Sequence, residues 1–281
     1  MVKREAQNVE VYIEEGGLLL RGIPGGRLRE KERIYAGDHV RGKFEGDIFF
    51  IEEVEPRKNL LVRPPVANVD CVIVVTTLKT PDFNSFLMDN LLAVYECAGT
   101  DVLILFNKID ILDEEEKEEL KKWIGLYKGV GYEVLGVSAE REINMDRLTD
   151  FLKKGIYVLA GASGTGKSTL LSKLTGVSLR KGEISKKTGK GRHTTTGVNL
   201  IRLKKNTYIG DTPGFSKVYA NTIVDRNKIR ECFREFKSYE CKFKDCMHIS
   251  EEGCGVIEAV KKGEISKERY DNYKRILKYY R

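Results

Sequence analysis

Three groups of residues in this sequence have the types and spacing to do chemistry. The first is "GASGTGKS" at Gly161–Ser168, between an apolar run, "GIYVLA", and a helical stretch, "TLLSKL". Strand, glycine-rich loop and helix in succession let backbone N–H groups and a helix N-terminus cradle phosphates. Gly161, Ala162, Ser163, Gly164, Thr165 and Gly166 would form the cradle. Lys167 would reach the β- and γ-phosphates as a catalytic cation, and Ser168, with Thr169 beside it, would ligate Mg²⁺. The second group is "NKID" at Asn107–Asp110, directly after "VLILF". Asp110 can accept both the N1–H and the exocyclic N2–H of guanine, a pair of donors that adenine lacks. Asn107 would support that pocket and Lys108 would cover the base face, with Ile109 completing the tetrapeptide. Ser138-Ala139 in "VSAE" matches a loop whose backbone N–H reads the guanine oxygen. The third group, "CKFKDCMHISEEGC", sets three thiols and an imidazole, Cys241, Cys246, His248 and Cys254, within fourteen residues. That donor set suits one closed, tetrahedral, structural zinc ion.

Beyond the phosphate loop, "YIGDTPGF" puts Asp211 at a strand end with Gly214 three residues on. In this DxxG pattern the carboxylate supports Mg²⁺ and the glycine N–H senses the γ-phosphate. Between the two, "GRHTTTGV" supplies hydroxyls. Thr195 is taken as the second Mg²⁺ contact, with little to separate it from Thr194. Many GTPases carry a water-orienting Gln just after DxxG, where this chain has Phe215. His193 is the nearest replacement by motif; the alternative is a loop histidine that only contacts RNA.

The base-reading motif thus precedes the phosphate-reading ones, the reverse of the ordinary order. Folding requires these motifs to meet in space, not to follow one order along the chain, so the expectation is a circularly permuted GTPase.

The elements that must position these residues follow from periodicity. "CVIVVTTL", "DVLILFN", "YEVLGVS", "GIYVLAG" and "NTYIGDTPG" are buried-strand candidates alternating with helical stretches, which predicts a parallel α/β sheet. The first sixty-odd residues read instead as short strands with turns at Gly16-Gly17 and Glu45-Gly46, a small barrel of oligonucleotide-binding or SH3-like type. "RPPVANVD" at Arg63–Asp70 reads as a linker because of its two prolines. The expected division is residues 1–64 for the barrel, 65–222 for the permuted GTPase and 223–281 for a mostly helical zinc domain.

Composition limits the alternatives. No apolar run reaches the roughly 18 residues of a membrane helix, and the charged start is no signal peptide, so a cytoplasmic protein is expected. Six cysteines are then expected to be free thiols or metal ligands, with Cys71, Cys97 and Cys232 as packing residues. Abundant Lys and Glu with a single Gln hint at a thermophilic source. The net charge of +7 is concentrated: residues 173–217 hold 11 basic and 2 acidic side chains, net +9. Taken alone, that run reads as a solvated loop. Lying where a switch belongs, with Arg180, Lys181, Lys186, Lys187, Lys190 and Arg192, it reads as a site for RNA phosphates.

A barrel, this permuted motif order, "GKGRHTTT" and the Cys/His cluster together make the whole chain resemble the ribosome-small-subunit-dependent GTPases of bacterial small-subunit assembly. The resemblance implies an oligonucleotide-binding barrel and slow GTP hydrolysis stimulated by the small (30S) subunit. It also implies rRNA contact, a catalytic role for His193, and a monomer turning GTP into GDP. The alternatives are a P-loop nucleotide kinase and a non-enzymatic RNA-binding module that uses GTP as a shape switch.

Overall fold

The computed structural model describes residues 3–5, 8–13, 18–26, 28, 33–62, 65–176, 198–211 and 219–280. The first sheet contains β1 (Lys3–Glu5), β2 (Asn8–Ile13), β3 (Leu18–Pro24), β4 (Val40–Glu45) and β5 (Ile48–Val54), in the order β1-β2-β3-β5-β4. β3 runs parallel to β5 and the other pairs are antiparallel. That order, with that one parallel contact, is the oligonucleotide-binding arrangement and decides between the two barrels the sequence left open. Alternating residues Val9, Val11, Phe49 and Ile51 turn inward to a small core of their own. Beside the proline-bearing segment, β6 (Leu60–Val62) pairs antiparallel with β7 (Pro65–Ala67). Pro65 begins an edge strand, where its missing N–H breaks no ladder.

The central sheet has six strands in the order β10-β9-β8-β11-β13-β12: β8 (Cys71–Thr76), β9 (Asp101–Phe106), β10 (Glu133–Gly136), β11 (Gly155–Ala160), β12 (Asn199–Lys204) and β13 (Thr207–Asp211). Five strands are parallel and β12 returns antiparallel beside β13. β8 is apolar and buried from Cys71 to Val75, as the uninterrupted hydrophobic run requires of a strand covered on both faces. Side chains alternate between two cores. Val72, Val74, Ile104 and Val158 face α1 (Ser85–Cys97) and α2 (Glu114–Gly129). Ile73, Val75, Leu103 and Leu159 face α3 (Met145–Phe151) and α4 (Lys167–Thr175). α2 starts at a reciprocal capping box, Asp113 with Glu116.

The C-terminal part joins 3₁₀ segments at Arg226–Cys232 and Arg234–Ser238 to α5 (Gly255–Lys262) and α6 (Lys267–Lys278). It shares a core with the sheet: Ile229, Phe233, Val256, Tyr273 and Ile276 belong to the cluster that contains Val72 and Leu91. Arg269 of α6, 2% exposed, is paired with Asp89 of α1 and with Glu235. One expectation is overturned here. Cys97 and Cys232 are not separate packing residues but are joined in a disulfide across 135 positions. The packing of α1 on the segment ending at Cys232 sets the two thiols opposite each other, and sequence separation conceals that. Cys71 is a buried free thiol, which burial pushes up to about 12. Among the described residues no helix is long and apolar enough to cross a membrane.

Candidate nucleotide site and metal centre

The phosphate loop leaves β11 at Ala160 and enters α4 at Lys167. Gly161 and Gly166 both have positive φ, +128° and +92°. A Cβ on Gly161 would collide with the Val75 carbonyl, and one on Gly166 would collide with the amide nitrogen of Asn107. Glycine at both positions is thus required by neighbours as well as by the turn itself. Lys167 folds back so that Nζ donates to the carbonyls of Gly161 (2.8 Å) and Ala162 (2.7 Å). Its charge therefore sits in the mouth of the loop. Thr165 is buried and its hydroxyl donates to Ala162 O at 3.0 Å, bracing the loop from within. Ser163, Gly164 and Ser168 are exposed, with Ser168 in the first turn of α4.

The Asn107–Asp110 tetrapeptide meets this loop. Asn107, 4% exposed, donates through Nδ2 to Thr165 O (2.9 Å) and accepts through Oδ1 from Ala139 N (3.0 Å). One amide thus joins all three motifs. Lys108 has a positive φ of 64°, and its Nζ donates to Gly164 O and Thr80 O, both at 2.7 Å. Ile109 begins a 3₁₀ turn on which Asp110 is exposed, with its carboxylate in solvent. Ser138 is buried, accepts from Arg141 N at 3.0 Å and forms an antiparallel bridge with Ile143, which fixes the loop that presents Ala139. Asp211 ends β13 in register with Leu159, two residues before Gly161. The structure therefore brings Asn107, Lys108, Ala139, Gly164, Thr165, Gly166 and Lys167 together and sets the Asp211 backbone beside them. His193, Thr195, Gly214 and Phe215 lie outside the described residues, as do the six switch cations.

Two contributors carry no signal in the sequence. Thr80, in the loop after β8, offers its carbonyl to Lys108. Asn90 of α1, 2% exposed, accepts from Ala220 N at 2.9 Å and anchors the chain after the DxxG segment. Asn90 sits in an apolar helical stretch where an amide reads as incidental.

In the C-terminal part the ligand atoms of Cys241, Cys246, His248 and Cys254 lie within 4.8 Å of one another. Cys241 Sγ is 3.8 Å from Cys254 Sγ, and His248 Nδ1 is 3.5 and 3.3 Å from those two sulfurs. Bonds of about 2.3 Å to sulfur and 2.1 Å to nitrogen make tetrahedral edges of roughly 3.6–3.8 Å, so the cluster has room for one such ion. Its chemistry also calls for a cation. Burial pushes the Cys246 thiol up to about 12, so ionisation needs a nearby positive charge. Burial, with Arg230 nearby, lowers His248 from its usual value and keeps the ring neutral. Glu251 braces the intervening turn. Burial would raise its carboxyl, but N–H groups of Met247, Ile249 and Ser250 outweigh that and hold it at about 2. The cluster is a Cys₃His set that could hold one metal ion.

Comparison with known proteins gives a consistent answer. The family model described as RsgA GTPase matches residues 54–221. The small ribosomal subunit biogenesis GTPase RsgA of Clostridium beijerinckii is 40% identical over 270 residues, covering 95% of this chain and 92% of that protein. Its namesake in Thermotoga neapolitana is 40% identical over 262 residues, covering 92% and 88%. Among solved structures, YjeQ from Thermotoga maritima superposes with a TM-score of 0.87 at 33% identity, covering 99% of this chain and 96% of that one. YloQ, described as a circularly permuted GTPase, gives 0.84 at 25% identity, covering 99% and 93%. With its permuted motif order and a matching family model over more than half its length, the chain belongs to the RsgA GTPase family.

Proposed function

We propose that this GTP hydrolase serves biogenesis of the small ribosomal subunit, the role named in its relatives. The observation that carries the nucleotide half of this reading is the Asn107 amide, which ties the base-reading, guanine-loop and phosphate-loop segments into one site. In that site Asp110 reads the guanine N1–H and N2–H, and the Ser138-Ala139 loop, fixed by the bond from Ala139 N to Asn107, presents a backbone N–H to the guanine oxygen. Backbone N–H groups of residues 161–169 hold the phosphates. Lys167 exchanges its two carbonyl partners for β- and γ-phosphate oxygens, which places its charge where negative charge develops in the transition state. Mg²⁺, held by Ser168, Thr195 and the Asp211 side, would neutralise those oxygens when bound. Gly214 senses the γ-phosphate and His193 orients the attacking water. In the metal centre the thiol-rich donor set favours zinc, in a structural role. The kinase reading is set aside because it gives NKID no task, whereas here Asn107 is built into the phosphate loop.

The partner is the small ribosomal subunit through its rRNA, engaged by the barrel and by the basic segment at 173–217; the protein acts as a cytoplasmic monomer. Multiple-turnover GTP hydrolysis should be slow for the protein alone and strongly accelerated by small subunits. His193→Ala should remove most of that acceleration with GTP affinity and subunit binding nearly unchanged. Neutralising Lys186, Lys187 and Lys190 together should instead weaken subunit binding and flatten its salt dependence. Rapid turnover by the free protein with no gain from subunits would sink the coupling while leaving the GTP site intact.

A further inference from the structure

We propose that Cys97 and Cys232 form a redox-responsive dithiol site whose oxidation closes the permuted GTPase core into a covalent ring. Cys97 is the last residue of α1 and Cys232 the last of the 3₁₀ segment that starts at Arg226. Their Cα atoms are 5.2 Å apart, a separation that a disulfide spans without backbone movement. Contacts that need no sulfur hold the pair in place. Arg234 bonds Glu96 at 2.6 Å and Gly131 O at 2.7 Å, so α1 and the C-terminal segment remain together in the dithiol form.

The position of the pair along the chain is what gives it a role. Every nucleotide-reading motif lies between the two cysteines: Asn107–Asp110, Ser138-Ala139, Gly161–Ser168 and the Asp211 strand end. So do five of the six strands of the central sheet, with β8 and α1 leading up to Cys97. In the ordinary motif order the chain runs on from the DxxG strand toward the strand–helix unit preceding the base-reading tetrapeptide, which here is β8–α1. Permutation removes that connection: the chain enters β8 from the barrel and leaves β13 for the C-terminal part. The disulfide supplies the missing covalent link, from β13 through residues 220–232 to the end of α1. Closing so long a loop restricts the unfolded chain while leaving the folded contacts as they are. Oxidation thus raises the stability of the nucleotide-binding core without altering its site. The Lys- and Glu-rich, Gln-poor composition fits such a device, since intracellular disulfides are frequent in hyperthermophiles.

The chemistry is thiol–disulfide exchange with a low-molecular-weight disulfide such as glutathione disulfide. Cys97 is half-buried and Cys232 buried, so Cys97 is the accessible partner. Its thiolate attacks the oxidant, a mixed disulfide forms and one glutathione thiolate leaves. The Cys232 thiolate then attacks the Cys97 sulfur and expels the second. The two cysteine protons end on the two glutathiones, and the protein loses two electrons.

The full-length, metal-loaded protein should be equilibrated with glutathione disulfide or with dithiothreitol, then denatured and alkylated. Of the six cysteines, the oxidised form should expose four to alkylation and the reduced form all six. A non-reducing peptide map should join Cys97 to Cys232. Oxidation should raise the Tm by roughly 5–10 °C and leave GDP affinity within about twofold. Cys232→Ala should show five alkylatable thiols after dithiothreitol, should hold Cys97 as an unresolved mixed disulfide with glutathione after oxidation, and should have a Tm that no longer rises by the amount seen in the parent protein. Six thiols after oxidation, a bridge mapping to the metal ligands, equal Tm values for the two forms, or an undiminished shift in Cys232→Ala would each overturn the proposal.

Discussion

Asn107 Nδ2 and Thr165 O, 58 residues apart in sequence, are joined at 2.9 Å, and the same amide reaches Ala139 N at 3.0 Å. The contact is buried, so neither group has water as a substitute. Asn107→Ala leaves the Thr165 carbonyl and the Ala139 N–H short of a partner at the back of the nucleotide site. Losing two such bonds costs about 2–4 kcal/mol of site organisation. GTP affinity by equilibrium titration should fall by roughly 30-fold or more. Asp110→Asn, on an exposed residue that makes no structural bond, should keep the fold, weaken GTP and improve xanthosine triphosphate, because its amide can donate where xanthine accepts. Unchanged GTP preference in Asp110→Asn would take the tetrapeptide out of the base site.

Gly166 and Gly46 form a matched pair for separating backbone conformation from packing. Both have positive φ, but a Cβ on Gly46 meets nothing within 4 Å, whereas on Gly166 it runs into Asn107. Gly46→Ala should cost about 1 kcal/mol in urea unfolding and leave GTP binding alone. Gly166→Ala should reduce GTP affinity by at least tenfold, because either the loop or Asn107 must move. Equal effects of the two variants on nucleotide binding would show that the clash is relieved elsewhere.

Metal analysis should find one ion per chain, and Cys246→Ser or prolonged chelation should remove it. A separate zinc domain would unfold by itself. Here Val256, Phe236 and Cys246 lie in the same core cluster as the sheet residues Val72 and Val158. Metal loss should therefore lower the Tm of the nucleotide-binding core as well, visible as a fall in the Tm of the GDP-bound protein at fixed GDP concentration. A metal-free protein with an unchanged Tm would show that the cluster is mechanically independent.

Arg269 closes the junction between α1 and α6, with Asp89 and Glu235 as anionic partners and Asn272 adding a 2.7 Å bond to Asp89. Arg269→Met strands two carboxylates in a dry site and should destabilise the protein by about 3–5 kcal/mol in denaturant unfolding. Adding Asp89→Leu to that variant should restore part of the loss, since a buried charge without a partner is what costs most.

The sequence by itself determined the chemistry of this protein. Phosphate loop, NKID, DxxG and Cys₃His clusters are local: each holds its residue types at fixed short spacing, and strand and helix periodicity around them is enough to define an α/β sheet with a β-rich start. The permuted order could also be read directly, because motif order is a property of the chain. Tertiary structure decided what depends on long-range proximity. The barrel type turned on whether β3 pairs with β5 in parallel, and no local pattern encodes a pairing across 25 residues or more. β12 was missed because a short antiparallel edge strand borrows its partner from β13. The pairing of β6 with β7 went unread because each strand has three residues and the prolines beside them signal interruption. Asn107, Asn90, Arg269 and the Cys97–Cys232 pair have partners 32 or more residues away, in elements that meet only once helices pack on the sheet. A residue's type is written in the sequence, but a buried polar group's partner is chosen by packing, and at these four places packing turned ordinary residues into the joints of the molecule.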